Sequence, residues 1–577
     1  MLTTKPIDLR PDLAEIIHKI LKDNLEEGTY VFAFGSRANW TAKQSSDLDL
    51  AIDSFGEKLD RKVKSNLEDA FEESNLPYTV DVVDYNFISD SFREAIKDDL
   101  VRVLWDWSTS QLKDIVLLNP NNVSSKDIYD TYLYLDTSSI TENHIDIIQR
   151  FSKKEDLPSR AKRKVNNLDI VYSCVRPIQK HFGIIKSSTK NLLVSTGFTV
   201  IRCEQGILNP LFLYYYLSQD HLINYLQGIA EHSTSAYPSI KPSDIGALNI
   251  NLPPLSEQKR IAEILSSLDN KIEINKQINQ TLEEMAQALF KSWFIDFDPV
   301  KAKKTVLKSG GSEEEANYVA MKVISSKTDE ELEQFKNSNF KEYQELEETA
   351  KLFPSEFQDS ELEEIPLGWE IKSLKDITQI TTRGIAPKYV DSNGITVINQ
   401  KCIRNNLIDF NLTKLHKPLD KPHPKELQVE DLLINSTGVG TLGRVAIVRY
   451  LNERTIFDTH VTLVRADNDQ VTSPYLNSYL VSQEQYITSL GSGSTGQIEL
   501  RRQSLEEMQI TLPTRALMHS FNKQYYSFNE QIVSNLLNGL YSFDLRDSLM
   551  QKLVNGDLVI DNLTQKEISK SVINSVI

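Results

Sequence analysis

The sequence predicts a multidomain α/β protein in which a globular unit followed by one long helix occurs twice, behind a separate front domain. Three observations carry this. Short landmarks recur in order at a nearly constant offset, two proline-free stretches of about forty residues show coiled-coil spacing, and a run near the N-terminus belongs to neither copy.

The recurrence is read from five landmarks. LKDI occurs at Leu112–Ile115 and again, 262 positions later, at Leu374–Ile377. NLDIVYS (Asn167–Ser173) is answered by VEDLLINS (Val429–Ser436), which sets Asp169 against Asp431 at the same offset of 262. GFTVIRC (Gly197–Cys203) resembles HVTLVRA (His460–Ala466), and NPLFLYYYLSQD (Asn209–Asp220) resembles SPYLNSYLVSQE (Ser473–Glu484). LNINLPP (Leu248–Pro254) matches MQITLPT (Met508–Thr514) at an offset of 260. One such match is noise; five in the same order describe a duplicated α/β unit.

Each copy runs into a long helix. In the first, Ile261, Leu265, Leu268 and Ile272 step by 4, 3 and 4, and the pattern resumes at Leu282, Met285 and Leu289 after Asn275 and Asn279. This is a coiled-coil seam with a polar interruption. The second, from about Thr514 to Val554, places Phe521, Tyr525, Phe528 and Ile532 at the same steps, with Asn535 matching Asn275 at the offset of 260. Two such rods, each about 60 Å long, are expected to pair antiparallel; the alternative is that each packs only on its own domain. Between the copies, 297–364 is polar and acidic, with SGGSEEE at Ser309–Glu315, and reads as a linker with one or two solvated helices.

Bulk properties narrow the function. A chain of 577 residues, 40% hydrophobic, can bury several cores. Cys174, Cys203 and Cys402 are far apart and form no CxxC pair, which excludes a disulfide framework or a structural zinc site and points to a reducing compartment. With no secretory leader pattern and no run of about eighteen apolar residues, the protein is expected to be cytoplasmic with no membrane association. Net charge is −17, unsuited to coating nucleic acid. Yet Arg150–Lys190 holds eleven Lys or Arg against three acids, a basic island that is either a solvated loop or a phosphate-binding surface.

The duplicated region, about Gln111 to Asp557, resembles the specificity subunit of type I DNA restriction-modification systems. The resemblance is carried by LPPLSEQKRIAEIL (Leu252–Leu265), ALFKSWFIDFDPV (Ala288–Val300), IPLGWEIKSLKDI (Ile365–Ile377) and STGVGTLGRVAIV (Ser436–Val448). It implies two target-recognition domains that each read half of a bipartite site in double-stranded DNA, and paired helices that fix the gap and dock two methyltransferase subunits. Phosphate and base contacts are then expected from Arg160, Lys162, Arg163, Lys164, Arg176 and Lys180 in the first domain, and from Arg383, Lys388, Lys401, Arg404, Arg444, Arg501 and Arg502 in the second. The chain has no GxxxxGK[ST] and no Asn/Asp-Pro-Pro-aromatic signature, so the recognition part itself would be non-catalytic and need no cofactor; the resemblance implies that partner methyltransferase and restriction subunits bind S-adenosylmethionine and ATP. GVGTLG (Gly438–Gly443) fits GxGxxG, but RVAIVRY after it reads as a strand, so a glycine turn is expected and not a dinucleotide site. The first copy lacks these glycines after Ser173, so its loop there should differ in shape.

The front run is FGSRANWTAKQSSDLDLAID, Phe34–Asp53. Alternation in its second half reads as a strand with Asp47 and Asp49 on one face, and TVDVVDY (Thr79–Tyr85) supplies Asp81, with Asp84 a weaker candidate on the opposite face. Three convergent carboxylates suit Mg²⁺ and a nucleotide triphosphate, and a Gly-Ser turn before a helix suits phosphates. About Met1 to Trp107 resembles the minimal nucleotidyltransferase domain of the polymerase-β-like fold. That implies Gly35 and Ser36 at the phosphates of ATP, Asp47, Asp49 and Asp81 at Mg²⁺, and transfer of AMP to a protein hydroxyl. A retained fold that only docks or regulates is the alternative for this domain; for the whole chain it is a protein-AMPylating enzyme that the duplicated region targets to DNA or a partner. The expected domains are 1–107 (nucleotidyltransferase-like), 108–253 and 365–512 (recognition), 254–296 and 513–555 (long helices), 297–364 (linker) and 556–577 (tail).

Overall fold

The computed structural model describes residues 7–555 except 27–28, 44–45, 55–57, 105–107, 187–189, 234–236, 361–363, 420, 439 and 494–497. Contacts divide the chain into two compact units, one formed by Met1–Ile272 with Tyr541–Ile577 and the other by Glu273–Leu540.

The first unit opens with helix α1 (Pro11–Asn24), which has proline at its first position, where no N–H is required. Strands β1 (Tyr30–Phe34) and β2 (Leu48–Asp53) pair antiparallel. Helix α2 (Arg61–Glu72), capped by Asp60 accepting from the Lys62 N–H at 2.7 Å, crosses over to β3 (Val80–Asp84), which lies parallel to β2; β4 (Val101–Leu104) closes the order β3-β2-β1-β4. Ile17, Leu21, Leu48, Leu50, Ile52 and Leu67 are buried on one side of this sheet, and Tyr30, Phe32, Phe34 and Ala51 on the other. Because side chains alternate along a strand, the face carrying Ala51 also carries Asp49.

The first duplicated domain begins and ends on one ribbon, Ser108–Gln111 paired with Asn249–Leu252. Between them lie a sheet in the order Phe182–Ile184, Ile170–Ser173, Phe198–Cys203, Val116–Leu118, and a second in the order Gln149–Phe151, Tyr132–Leu135, Leu192–Ser195, Ala161–Lys164. The second unit repeats this plan. Glu370–Ser373 pairs with Gln509–Leu512, and its central sheet runs Val445–Ile447, Leu432–Asn435, Val461–Ala466, Thr378–Arg383. Even the parallel pair recurs, Leu192–Val194 on Leu133–Leu135 in one unit and Thr455–Phe457 on Thr396–Ile398 in the other.

One ion pair recurs with the sheets. Asp169, 1% exposed, accepts from Arg202 Nε and Nη2 (2.8 and 2.7 Å) and from the Asn166 N–H (2.7 Å). Asp431, also 1% exposed, is held by Arg465 (2.6 and 2.7 Å) and accepts from the Gln428 N–H (2.7 Å). A buried carboxylate is tolerable only when its lone pairs are answered this fully.

The long helices run Leu255–Phe294 and Arg515–Val554, 40 residues each. In the first unit Ile261 and Leu265 share a core with Leu545, Leu549 and Leu553, and Asp269 pairs with Arg546 at 2.8 Å. In the second, the buried Asn279 accepts from Asn535 Nδ2 at 2.9 Å, and Phe290 and Phe294 meet Phe521 edge to face at 5.6 and 5.3 Å. Within each unit, partner numbers fall as the first helix rises, so the helices pack antiparallel. Met285, expected in the seam, is 50% exposed, and its neighbour Ala286 is buried instead.

The stretch expected to be a linker with one or two solvated helices holds four: Asp298–Lys308, Glu313–Ser325, Asp329–Ser338 and Phe340–Leu352. Capping boxes at Ser312/Glu315 and Thr328/Glu331 start the second and third. Val300, Ala320, Met321, Leu332 and Phe353 are buried in the unit's core, and Ala316 is buried too. The inward face is made largely of alanine and single large residues, so the abundant Glu and Lys hide it.

Replacing Asp169 by Ala leaves Arg202 unanswered and the Asn166 turn uncapped, an expected cost of about 3 kcal/mol. Hydrogen exchange should show the Ile170–Ser173 amides losing protection while Leu432–Asn435 keeps it; the reverse pattern is expected for Asp431→Ala.

Candidate nucleotide site and nucleic-acid surfaces

The antiparallel register sets Phe34 opposite Asp49, and the parallel register sets Asp49 beside Asp81. Gly35 follows β1 with φ +74°, a conformation glycine adopts without strain, and a Cβ there would lie 2.8 Å from the Asp49 carboxylate. Burial first, then the charges of Asp81 and Asp47, push Asp49 above the usual carboxylate range. The three acids therefore feel one another. They are not closed on a point: Asp47 accepts from the Thr79 hydroxyl at 2.5 Å, and among the described residues no set of three His, Cys, Asp or Glu is arranged to hold a metal ion. In donor type, a pair of adjacent carboxylates with uncompensated charge fits a hard dication. Asp84 is committed elsewhere, accepting from the Leu59 and Asn86 N–H groups at 2.9 and 3.1 Å.

Gly35 and Ser36 open a run of turns and not the expected helix. The Asn39 N–H reaches the Gly35 carbonyl at 3.1 Å, but Trp40 at φ 58° turns the chain away. The residue that sequence reasoning missed is Arg37. It is buried, donates to the Ser46 carbonyl at 3.0 and 2.7 Å and to Asp8 at 3.2 Å, and lies 3.8 Å over the Tyr78 ring. Arg37 thereby ties the Gly-Ser turn to the residue before Asp47. An arginine directly after Gly-Ser was a visible signal, though its target was not.

The basic candidates separate into two groups. Lys164 is ion-paired to Asp127 at 2.6 Å, and Lys180 bridges Glu142 and Asp220 at 2.9 and 3.0 Å. Arg163 is half-buried, and burial holds its pKa below the usual arginine value. Arg383 pairs with Glu499, and Arg502 with Glu506 at 2.7 Å. Arg444 is half-buried. Exposed are Arg160, Lys162 and Arg176 in the first domain, and Lys388, Lys401, Arg404 and Arg501 in the second. The GVGTLG turn leads into the strand Val445–Ile447, as its sequence predicts, and a Cβ on Gly443 (φ +85°) would lie 2.7 Å from Thr488 Cα. The corresponding first-domain loop differs, with a short helical turn at Pro177–Gln179 between Arg176 and Lys180, both left-handed.

Comparison with known proteins accords with this architecture. The family profile of the type I restriction modification DNA specificity domain matches 105–284 and 366–535, and that of the polymerase beta nucleotidyltransferases matches 15–104. The specificity subunit of the type I restriction enzyme HindI from Haemophilus influenzae is 31% identical over 468 residues, 78% of this chain and 100% of that one. That of MjaIX from Methanocaldococcus jannaschii is 25% identical over 391 residues, 66% of this chain and 76% of its own. A probable protein adenylyltransferase, MntA, from Haemophilus influenzae is 43% identical over 91 residues, 16% of this chain and 78% of its own. Among the described residues no helix is long and apolar enough to cross a membrane.

A raised pKa in the folded chain means that ionising Asp49 costs stability. The cost is absent below the unfolded value of about 3.9 and grows as pH rises through the folded value. Asp49→Asn should therefore increase hydrogen-exchange protection of Tyr30–Phe34 and Leu48–Asp53 at neutral pH. The gain should shrink as pH falls toward about 4, and Mg²⁺ should protect the wild type only.

Proposed function

The chain belongs to the type I restriction-modification DNA specificity family and carries a polymerase-beta nucleotidyltransferase domain in front of it, and on that footing we propose that it reads a bipartite site in double-stranded DNA for partner methyltransferase subunits. The observation that carries this is one scaffold built twice in one chain, down to the Asp169–Arg202 and Asp431–Arg465 pairs, with different loops on each copy. Two modules joined by paired helices suit a site of two half-sequences whose gap follows from the spacer. Arg160 and Lys162, with Lys388, Lys401, Arg404 and Arg501, would set register on the phosphates, and Arg176 would contact the DNA beside them. The ion-paired Lys164, Lys180, Arg383 and Arg502 would shape the surfaces, with Arg163 and Arg444 behind them.

Ile274, Ile278 and Met285 form an exposed apolar stripe on the first long helix at spacings of 4 and 7. This suits helix-on-helix docking of a methyltransferase subunit. S-adenosylmethionine and the ATP of any restriction subunits would arrive with those partners.

For the front domain, we propose transfer of AMP from ATP to a protein hydroxyl, in which the new P–O bond replaces the α–β phosphoanhydride bond and pyrophosphate leaves. Gly35 and Ser36 would face the triphosphate, and Asp49 and Asp81, joined by Asp47 once it leaves Thr79, would hold Mg²⁺. The metal, when bound, would neutralise the phosphates. Arg37 keeps the turn and the β2 entry in register. That the chain is first of all an AMPylating enzyme is less well supported, since its matches to specificity subunits span most of its length and its nucleotidyltransferase match only the first sixth.

Methylomes of cells expressing a partner methyltransferase, with and without this gene, test the reading. A methylated adenine in a split motif should vanish with the deletion and persist in Asp47→Ala/Asp49→Ala. The same double variant should abolish protein labelling by radiolabelled ATP and Mg²⁺. No lost motif, with the methyltransferase active, would refute recognition; labelling that persists in the variant would refute the proposed transfer.

A further inference from the structure

We propose that equivalent loop tips on the two recognition domains are the base-reading surfaces, with the Arg176 guanidinium reading the first half-site and the Gln400 amide the second; this rests on the DNA-recognition reading above. The backbone frame of the two tips is the same. In the first domain the Cys174 N–H donates to the Gly197 carbonyl at 2.8 Å, and the Cys174 carbonyl accepts from the Ile240 N–H at 2.8 Å. In the second, the Ser436 N–H donates to the His460 carbonyl at 2.8 Å, and the Ser436 carbonyl accepts from the Leu500 N–H at 2.9 Å. Cys174 and Ser436 follow matching central strands, and Gly197 and His460 head the matching motifs GFTVIRC and HVTLVRA. Three segments thus meet in the same way at the end of the same strand, twice.

On this shared frame the side chains differ completely. A scaffold used twice to read two different half-sequences has to keep the residues that hold it and change those that touch bases. Asp169/Arg202 and Asp431/Arg465 are the kept residues. The changed ones sit at the tips.

At the first tip Arg176 is exposed, in the left-handed region at φ 47°, and makes no ion pair among the described residues. Holding a non-glycine residue there is strained, and such strain concentrates at functional positions. Its N–H donates to the Pro238 carbonyl at 3.0 Å, and its guanidinium lies 5.5 Å from the Tyr237 ring centre. The backbone is pinned and the side chain braced, while Lys164 and Lys180 are already answered by acids. A braced guanidinium offering only donors matches the paired O6 and N7 acceptors of guanine.

The second tip has no arginine in that place. Gln400 accepts from the Thr437 hydroxyl at 3.0 Å, and that hydroxyl lies 2.8 Å from Nδ1 of the exposed His460. Gly438, left-handed at φ +104°, turns the loop beside Gln400. An amide carries donor and acceptor together and matches adenine N6 and N7.

The test is the methylome of cells expressing the full chain with its methyltransferase partner, as wild type, Arg176→Ala, Arg176→Lys and Gln400→Ala, each checked for assembly of the complex. Both Arg176 variants should lose roughly tenfold in discrimination at one position of the first half-site and leave the second untouched. Gln400→Ala should do the converse. Lysine keeps a phosphate contact but not bidentate readout, so normal specificity in Arg176→Lys, or a uniform loss of methylation at all sites in Arg176→Ala, would overturn the proposal. So would unchanged motifs in Arg176→Ala and Gln400→Ala, or a change in the wrong half-site. A wild-type chain that yields no split motif overturns the recognition reading, and this proposal with it.

Discussion

A buried carboxylate chelated by an arginine, built twice, is the constraint on which both recognition domains depend. Asp169 and Asp431 sit at the entry to the central strands Ile170–Ser173 and Leu432–Asn435, and each joins three things: the turn before the strand, the strand itself, and the arginine on the neighbouring strand. Desolvating the two charges is costly, and the bidentate geometry with an added backbone donor is what offsets it. The far ends of these strands run directly into Cys174–Arg176 and Ser436–Gly438. Register fixed at one end of a two-residue-period strand fixes which way the loop at its other end leaves the sheet. Fold stability and loop placement are thus one problem in this chain, solved once and copied.

Much of the architecture was open to reading because its signals are local or repetitive. The landmarks at offsets of 262 and 260 announce the duplication, and the 4-3-4 steps from Ile261 to Ile272 announce a helix that reaches from Leu255 to Phe294. Asp169 and Asp431 were already aligned as motif residues. Their partners Arg202 and Arg465 lay in another quoted motif, yet nothing local says that two strands more than thirty residues apart will place them together. The four helices between the copies escaped for a different reason: their buried face is Ala316, Ala320 and Met321, too small a signal among the glutamates. Lys164 and Lys180 looked like phosphate ligands because charge runs show sign and not partner, and Asp127, Glu142 and Asp220 are distant in sequence.

The front domain shows the opposite balance of stability and chemistry. Asp49 is surrounded by Asp47 and Asp81 in a half-buried position, and nothing among its described contacts neutralises it. Such a cluster costs stability, and groups perturbed by burial and like charge are where chemistry tends to be done. Gly35, whose positive φ suits glycine beside that carboxylate, and Arg37, which ties the turn to Ser46, keep the cluster where it is.

The central claim is that the two recognition domains are interchangeable scaffolds, each carrying its own reading loops. Replacing residues 374–508 with a copy of 112–248 tests it most directly, because both segments begin at LKDI and end at the residue before the ribbon strand that closes the domain. The methylome of such a chain, expressed with its methyltransferase partner, should show a palindromic motif made of the first half-site and its complement. A motif that keeps its original second half would contradict the account.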